Sequence, residues 1–259
     1  MRKLIIESLL LLFVSTCIIS CATTKRYTVS NAHSHNDYLN ATPFYNAFNE
    51  GFGSIEADVY PVNGELLVAH KKEEIQRQTS LKALYLYPLL SKLSADSSRK
   101  LNLLVDIKEN YKEALSLLIR ELQPLQRHLS TADKAKNITI SISGERPVAA
   151  EFNQYPNYIF FDDNLSTNHS ADEWKRISLV SLPFDSISKW KGAGSLPSAD
   201  VQGLKHAIDM AHKAGKPFRF WAAPDNTEAW KQQQKLGVDL IGTDKISGLA
   251  NFLRRGNNR

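Results

Sequence analysis

Cysteine is nearly absent from the 259-residue chain, and both of its cysteines, Cys17 and Cys21, lie in the first 21 residues. The rest of the chain therefore contains no disulfide bond. No linker rich in proline, glycine and serine, no charge block and no low-complexity tract interrupts the chain before its basic C-terminus. One domain is the simplest organisation for a chain of this length and composition.

A concentrated stripe of basic residues is also missing, although the formal net charge is +5. Lysine and arginine are scattered among acidic residues, so the charge pattern does not indicate a nucleic-acid-binding surface. The positive net charge would attract anions weakly, which is compatible with phosphorylated small molecules or lipids as ligands.

The first 20 residues, MRKLIIESLLLLFVSTCIIS, have a basic start, an apolar run and small residues at the end, which predict an export signal. The sequence Ile18-Ile19-Ser20-Cys21 resembles the bacterial lipobox, in which the cysteine is lipidated. We therefore predict a lipoprotein signal peptide over 1–20, a tether over 21–28 and the folded domain over 29–259. This predicts an exported lipoprotein, anchored by lipid at Cys21 to a membrane of the bacterial cell envelope. An ordinary signal peptide and an uncleaved anchor are the alternatives.

Short apolar, β-branched runs alternate with longer segments of helical period along the remaining chain. The eight candidate strands are 27–33, 53–60, 101–108, 137–143, 158–161, 177–182, 217–223 and 238–243. The clearest helical patterns are 43–51, 81–93, 111–125, 200–215 and 226–237. This alternation predicts a (β/α)8 TIM barrel. An open doubly wound sheet is the alternative, but the glycine-rich motifs GxGxxG and GxxxxGK[ST] are both absent.

Polar residues lie where the strands of such a barrel end. Glu56 and Asp58 are two residues apart on one strand, so both side chains point to the same face, and Asp106 with Lys108 repeats this spacing on the next parallel strand. Three converging carboxylates would repel each other, and a bound divalent cation is the usual resolution. Carboxylate oxygens favour Mg²⁺ or Ca²⁺ over zinc. The alternative is that these acids pair with lysines at the rim of the barrel.

Two histidines lie at strand ends beside these acids. His33 ends the first strand, and His70 ends the run LLVAH after the Asn63-Gly64 turn. The segments AHSHNDY, GSIEADVYPVNGELLVAH, LLVDIK, FW and LIGTD resemble the phospholipase C-like phosphodiesterase superfamily, which includes glycerophosphodiester phosphodiesterases and sphingomyelinase D. HSHNDY, LYLYPL and ISGERP are more closely similar to the altered-inheritance-of-mitochondria protein group.

The resemblance implies a metal-dependent phosphoric diester hydrolase acting on a glycerophosphodiester or phospholipid-type substrate. It implies that His33 and His70 share the acid and base roles and that Glu56, Asp58 and Asp106 hold Mg²⁺ or Ca²⁺. It places Lys108, Asn36, His35 and Trp221 in contact with the substrate. The chain has Ser34 and His35 where glycerophosphodiesterases usually have the Arg-Gly of a His-Arg-Gly motif, so it lacks their arginine contact with phosphate at this point.

Two other functions are compatible with the sequence. The first is a barrel lipoprotein that binds a metal or a ligand without catalysis. The second takes His33 and His35 as the HxH metal-binding motif of another class of barrel phosphoesterase. Trp221 is open to two interpretations, as part of the substrate pocket or as a core residue.

Overall fold

The computed structural model of the protein describes residues 25–256 apart from residues 77 and 97. The predicted signal peptide, Cys21 and the first part of the predicted tether lie outside the described residues. Within the described part of the chain, no helix combines the length and the apolar character needed to cross a membrane.

Nine strands form one sheet. They are β1 (Ala32–Ser34), β2 (Ser54–Val62), β3 (Glu65–Val68), β4 (Leu101–Ile107), β5 (Ile138–Gly144), β6 (Ile159–Asp163), β7 (Ile177–Pro183), β8 (Phe218–Trp221) and β9 (Leu240–Thr243). All except β3 run parallel to their neighbours, in the order β1-β9-β8-β7-β6-β5-β4-β2, and β1 also pairs with β2. This last pairing closes the sheet, so the protein is a (β/α)8 barrel, as predicted.

Helices connect the strands on the outside of the barrel. They are α1 (Tyr45–Glu50), α2 (Tyr87–Ala95), α3 (Tyr111–Glu121), α4 (Ala171–Lys175), α5 (Ser198–Lys213), α6 (Thr227–Leu236) and α7 (Ile246–Gly256). A π-helical turn, Lys82–Leu86, leads into α2. The helical patterns named above correspond to α1, α2, α3, α5 and α6, whereas α4 and α7 are additional. Helix α7 buries Ile246, Leu249, Ala250 and Leu253, which share one helical face.

Strand β3 is antiparallel to β2 and forms a hairpin with it. The turn between them contains Asn63 with φ 50° and Gly64 with φ 81°. Two successive positive φ angles are typical of the tight two-residue turn that Asn-Gly favours. The hairpin carries the chain to His70 beside the end of the barrel where the parallel strands terminate.

The first strand is shorter than predicted. The structure has a 3-10 turn over Val29–Asn31, and β1 begins only at Ala32. The Thr28 hydroxyl accepts from the Ser30 amide, and the Asn31 side chain accepts from the Thr28 amide. These local side-chain hydrogen bonds compete with strand pairing, so the turn replaces the extended conformation.

Candidate active site

A cavity of about 500 Å³ opens at the carboxyl end of the barrel strands. Active sites of barrel enzymes occupy this end because the loops after the strands converge there. Eight of the residues predicted for the site line it: His35, Asn36, Glu56, Asp58, His70, Asp106, Lys108 and Trp221. Trp221 is 46% exposed, which rules out a core role for it.

Three carboxylates meet at one wall of the cavity. Glu56 and Asp58 come from β2, and Asp106 comes from β4, where it is the register partner of Asp58. One oxygen of each residue lies within 4.8 Å of the others. The convergence expected from the two-residue spacing is therefore present in the fold.

Within the part of the chain that the structure describes, Asp58 uses only one of its two oxygens in hydrogen bonds. Its Oδ2 atom accepts hydrogen bonds from the Tyr38 hydroxyl at 2.7 Å and from Lys108 Nζ at 2.7 Å. Lys108 also contacts Asp106. Burial and the charge of Glu56 raise the pKa of Asp58, although Lys108 opposes the shift. The Asp58 Oδ1 atom is buried and has no hydrogen-bond partner among the described residues.

His33 does not line the cavity, and this differs from its predicted catalytic role. Its side chain is fully buried, with Nε2 2.7 Å from Glu56 Oε2 and Nδ1 2.8 Å from Ser54 Oγ. The same Nε2 atom also contacts Arg219 Nη1, so it lies between a carboxylate that only accepts and a guanidinium that only donates. Burial lowers the pKa of His33 to about 4, and the nearby Arg219 guanidinium adds to the shift. His33 is therefore a neutral histidine inside the barrel that orients Glu56.

His35 faces the cavity. Its Nδ1 atom lies 2.8 Å from Asp244 Oδ1, directly after the end of β9. Burial lowers the pKa of His35, but the hydrogen bond to Asp244 and the charge of Glu56 outweigh it, so the pKa lies above its usual value. Asn36 follows with φ 47°, a left-handed conformation that turns the chain away from the strand direction.

His70 lies beside the acids, half-exposed. Its Nδ1 atom is 3.5 Å from Asp58 Oδ2 and 3.2 Å from the Tyr38 hydroxyl. The Tyr38 hydroxyl oxygen also lies 2.8 Å from Asn36 Oδ1. Tyr38 thus links His70 to the acids and to the loop that carries His35.

Sequence reasoning missed the buried cation of the site, Arg219. Its Nη1 atom lies 2.6 Å from Glu56 Oε2, and its Nε donates to Ser181 Oγ at 3.2 Å. Although burial acts to raise it, Arg219 and His33 hold the pKa of Glu56 well below its usual range. A charged residue inside the apolar strand sequence FRFW was the available signal, because a buried arginine requires a partner.

The interpretation of His33 and His35 as a metal-binding HxH pair finds no support in the geometry. The group of candidate metal-ligand atoms that the described residues bring together contains three carboxylates and neither histidine. His169 and His212 instead pair with Asp163 and Asp239, at 2.8 and 2.7 Å.

The closed (β/α)8 barrel, with three clustered carboxylates and two histidines at its strand ends, has a fold like that of phosphodiester hydrolases. The comparisons agree with this class. Residues 22–97 match the AIM6-like phosphodiesterase domain. The matched segment includes both cavity histidines and two of the three acids. The family resemblance predicted from the sequence is confirmed.

Two fungal relatives resemble most of the chain. The chain is 28% identical over 304 residues to Altered inheritance of mitochondria protein 6 of Kluyveromyces lactis, covering 86% of this chain and 72% of the relative. It is 25% identical over 266 residues to the homologue of that protein in Arthroderma benhamiae, covering 85% of this chain and 82% of the relative.

Solved structures share the fold. A glycerophosphodiester phosphodiesterase from Parabacteroides distasonis superposes with a TM-score of 0.58 at 12% identity, covering 88% of this chain and 98% of that one. A calcium-dependent phosphoinositol-specific phospholipase C from a Pseudomonas species superposes with a TM-score of 0.54 at 14% identity, covering 87% and 93%.

The predicted location in a bacterial cell envelope is wrong. The two relatives described above are fungal proteins, and their similarity points to a eukaryotic protein. The lipobox-like sequence before Cys21 is only four residues long, whereas the similarity to the fungal proteins extends over most of the chain. The longer similarity carries more information, so it overrides the short motif.

Proposed function

We propose that the protein is a metal-dependent phosphoric diester hydrolase that acts on a glycerophosphodiester or a phospholipid-type substrate. The observation that carries this proposal is that three clustered carboxylates and two histidines, His35 and His70, line one cavity. Acids that hold a cation and histidines that transfer protons together supply charge stabilisation and acid–base catalysis for the hydrolysis of a phosphodiester.

Glu56, Asp58 and Asp106 would hold the cation. The unpartnered Oδ1 atom of Asp58 supports this assignment, because a buried carboxylate oxygen without a hydrogen-bond donor is costly unless a cation satisfies it. An all-carboxylate donor set suits Mg²⁺ or Ca²⁺. When bound, such an ion supplies positive charge that neutralises the non-bridging oxygens of the phosphate.

His35 is the general base in this proposal, replacing His33. Asp244 accepts the Nδ1 proton of His35, which leaves the Nε2 lone pair to take a proton from the attacking hydroxyl. A carboxylate behind a histidine orients the ring and stabilises the imidazolium that forms. The raised pKa of His35 also makes it a stronger base.

His70 is the general acid and donates a proton to the departing alcohol oxygen. The Tyr38 hydroxyl, hydrogen-bonded to Asp58, lies within 3.2 Å of its ring and orients it. Lys108 adds positive charge beside Asp58 and Asp106, where the phosphate would bind. The attacking hydroxyl belongs to water or to the substrate itself.

The size and polarity of the cavity support a small polar phosphodiester or the headgroup of a lipid as the substrate. The glycerophosphodiester phosphodiesterase and the phospholipase C named above, which share the fold, support the same choice of substrate class. Nucleic acid is not expected as a partner, because the basic residues of the chain are scattered.

A substrate panel tests the proposal. Glycerophosphodiesters, lysophospholipids and phosphoinositides are each incubated with the purified protein, with Mg²⁺ or Ca²⁺ and with a chelator, and released alcohol is measured. We expect metal-dependent turnover of at least one diester, and His35→Ala is expected to abolish most of it while the exposed His206→Ala does not. Metal-dependent ligand binding without turnover of any diester would instead identify a non-catalytic binding barrel.

A further inference from the structure

The end of β5 and the turn that follows it, residues 143–147, are held against the strand that carries Asp106. Ser143 Oγ donates to Asp106 Oδ1 at 3.0 Å, and the Glu145 amide donates to the Ile107 carbonyl at 2.7 Å. Gly144 has φ +69°, and a Cβ atom there would lie 2.4 Å from Asp106 Oδ1 and 2.3 Å from the Ile107 oxygen. The ISGERP sequence therefore builds a tight turn against one of the proposed metal ligands.

This turn places the half-buried Arg146 side chain on the cavity wall. The Nη1 atom of Arg146 donates to the Gly144 carbonyl at 3.1 Å, which anchors the side chain to the turn. Among the described residues, no carboxylate lies within 4.0 Å of this guanidinium, whereas Lys108 pairs with Asp58 and Asp106, and Arg219 pairs with Glu56. Arg146 thus brings to the cavity a positive charge that is not matched by a contacting acid.

The position of the turn in the barrel indicates what this charge would contact. In the ring of eight parallel strands, β5 lies opposite β9. The strands β2 and β4, which carry the proposed metal ligands, lie between β5 and β9 on one side of the ring. His35 and Asp244 lie on the β1–β9 side, so Arg146 and the proposed base come from opposite parts of the cavity wall. A phosphate held at the acids would direct one of its two alcohol groups toward Arg146.

We propose that Arg146 selects phosphodiesters in which this alcohol carries a second anionic group, either a carboxylate or a phosphomonoester. The proposal rests on the proposed hydrolase function and adds the substrate class. A planar guanidinium binds both anions through paired hydrogen bonds, and the fixed turn holds it in place before the substrate arrives.

Two acids on the neighbouring strand end do not prevent anion binding at this wall. Asp163 is engaged by His169 Nε2 at 2.8 Å and by the Leu165 amide at 2.8 Å. Burial raises the pKa of Asp162 to about 6, against the opposing charges of Arg219 and Arg146, so this carboxyl binds a proton more readily than an ordinary aspartate. An anion bound by Arg146 would increase that tendency and reduce the repulsion.

Matched substrates test the proposal. Glycerophosphoserine and glycerophosphoethanolamine differ by one carboxylate, and glycerophosphoglycerol with and without a terminal phosphate differs by one phosphomonoester. We measure kcat/KM for each compound and, independently of turnover, Kd by calorimetry. The wild type should prefer the anionic member of at least one pair, and the pair that shows the preference identifies the anion.

Arg146→Gln should lower kcat/KM for the preferred anionic compound by about 10- to 100-fold, the usual loss for a hydrogen bond to a charged group. Its action on the matched compound without the extra anion should stay within about threefold, because the hydrogen bond removed is one that this compound does not make. Arg146→Lys should give an intermediate loss of kcat/KM, because it keeps the positive charge but not the planar guanidinium that makes paired hydrogen bonds. Arg127→Gln, at an exposed position, removes the same net charge and should leave kcat/KM unchanged for both members of each pair.

A failure of this proposal can be distinguished from a failure of the proposed hydrolase function. Equal losses for both members of a pair in Arg146→Gln would overturn the proposal, because they would indicate contact with the scissile phosphate or a structural role. Absence of any preference in the wild type, in kcat/KM and in Kd alike, would also overturn it. If no diester is turned over, the hydrolase function fails, and an Arg146-dependent difference in Kd within a pair would still establish the anion site.

Discussion

His35 Nδ1 lies 2.8 Å from Asp244 Oδ1, although the two residues are 209 positions apart in the chain. The contact exists because β1 pairs with β9 in the closed barrel, which brings the ends of the first and last strands together. His33, only two residues earlier, is excluded from the cavity and pairs with Glu56 instead. Two histidines that are only two residues apart in the chain therefore have different surroundings and different chemical roles.

Replacement of the two histidines should have opposite signatures. His35→Ala is expected to lower turnover by about 10²- to 10⁴-fold, the range for a lost proton-transfer group, with little change in stabilisation by metal. His33→Ala is expected to reduce the stability of the fold and to weaken its response to metal, because it removes a partner of Glu56. Steady-state kinetics and thermal melts with and without Mg²⁺ or Ca²⁺ measure both effects. A catalytic defect in His33→Ala without loss of stability would restore His33 as the base.

Metal-dependent stabilisation should respond in opposite directions to two substitutions around Asp58. Asp58→Asn removes one ligand charge at nearly constant volume, so added Mg²⁺ or Ca²⁺ should raise the melting temperature less than in the wild type. Lys108→Met removes the ammonium that pairs with Asp58 and Asp106, so it should lower stability without metal and increase the shift on adding metal. Equal shifts in both variants and the wild type would contradict the ligand assignment.

Asp162 should reduce stability at neutral pH. Burial raises the pKa of this carboxyl from 3.8 to about 6, so between these values the folded protein binds a proton that the unfolded chain does not. Binding of this proton stabilises the folded state below about pH 4, and the stabilisation is lost as the pH rises through about 6. Asp162→Asn should therefore stabilise the protein by about 1 to 3 kcal/mol at pH 7 and by much less at pH 4. Urea unfolding at several pH values measures the difference.

Asp163→Asn provides the matched control for that measurement. Asp163 lies on the same strand, and its two oxygens pair with the Leu165 amide and the His169 ring, so the single oxygen of asparagine leaves one of these buried donors without its acceptor, which is destabilising. The two neighbouring substitutions should thus change the unfolding free energy at pH 7 with opposite signs. A destabilised Asp162→Asn would show that this carboxylate is satisfied in the folded state.

Gly144→Ala should disrupt the turn after β5. Its Cβ atom would lie 2.3 Å from the Ile107 oxygen, so the turn and Asp106 must move in addition to the strain of φ +69°. Gly237 has φ +94° with no atom within 4 Å of a Cβ there, so Gly237→Ala carries only the left-handed strain, about 1 to 2 kcal/mol. We expect Gly144→Ala to be the less stable variant and to lose metal response. Similar unfolding free energies and metal shifts for both variants would contradict the clash.

The sequence by itself determined the barrel and the acid cluster. The spacing of apolar residues that marks a strand or a helix is visible within the sequence of that element alone. Eight strands were therefore identifiable before their pairing was known. The spacing of Glu56 and Asp58, and of Asp106 and Lys108, also has a local meaning, because residues two apart on a strand share a face. Parallel neighbouring strands then bring the acids together at the same level of the barrel.

Only the tertiary structure decided which histidine faces the cavity. Alternation along a strand assigns His33 and His35 to one face, but β1 ends at Ser34 and the left-handed Asn36 redirects the chain. The partners of the site residues are equally nonlocal, since Arg219 reaches Glu56 from β8 and Asp244 reaches His35 from β9. Such contacts depend on how the barrel closes and on burial at its interior, and these are properties of the whole chain that no local period encodes.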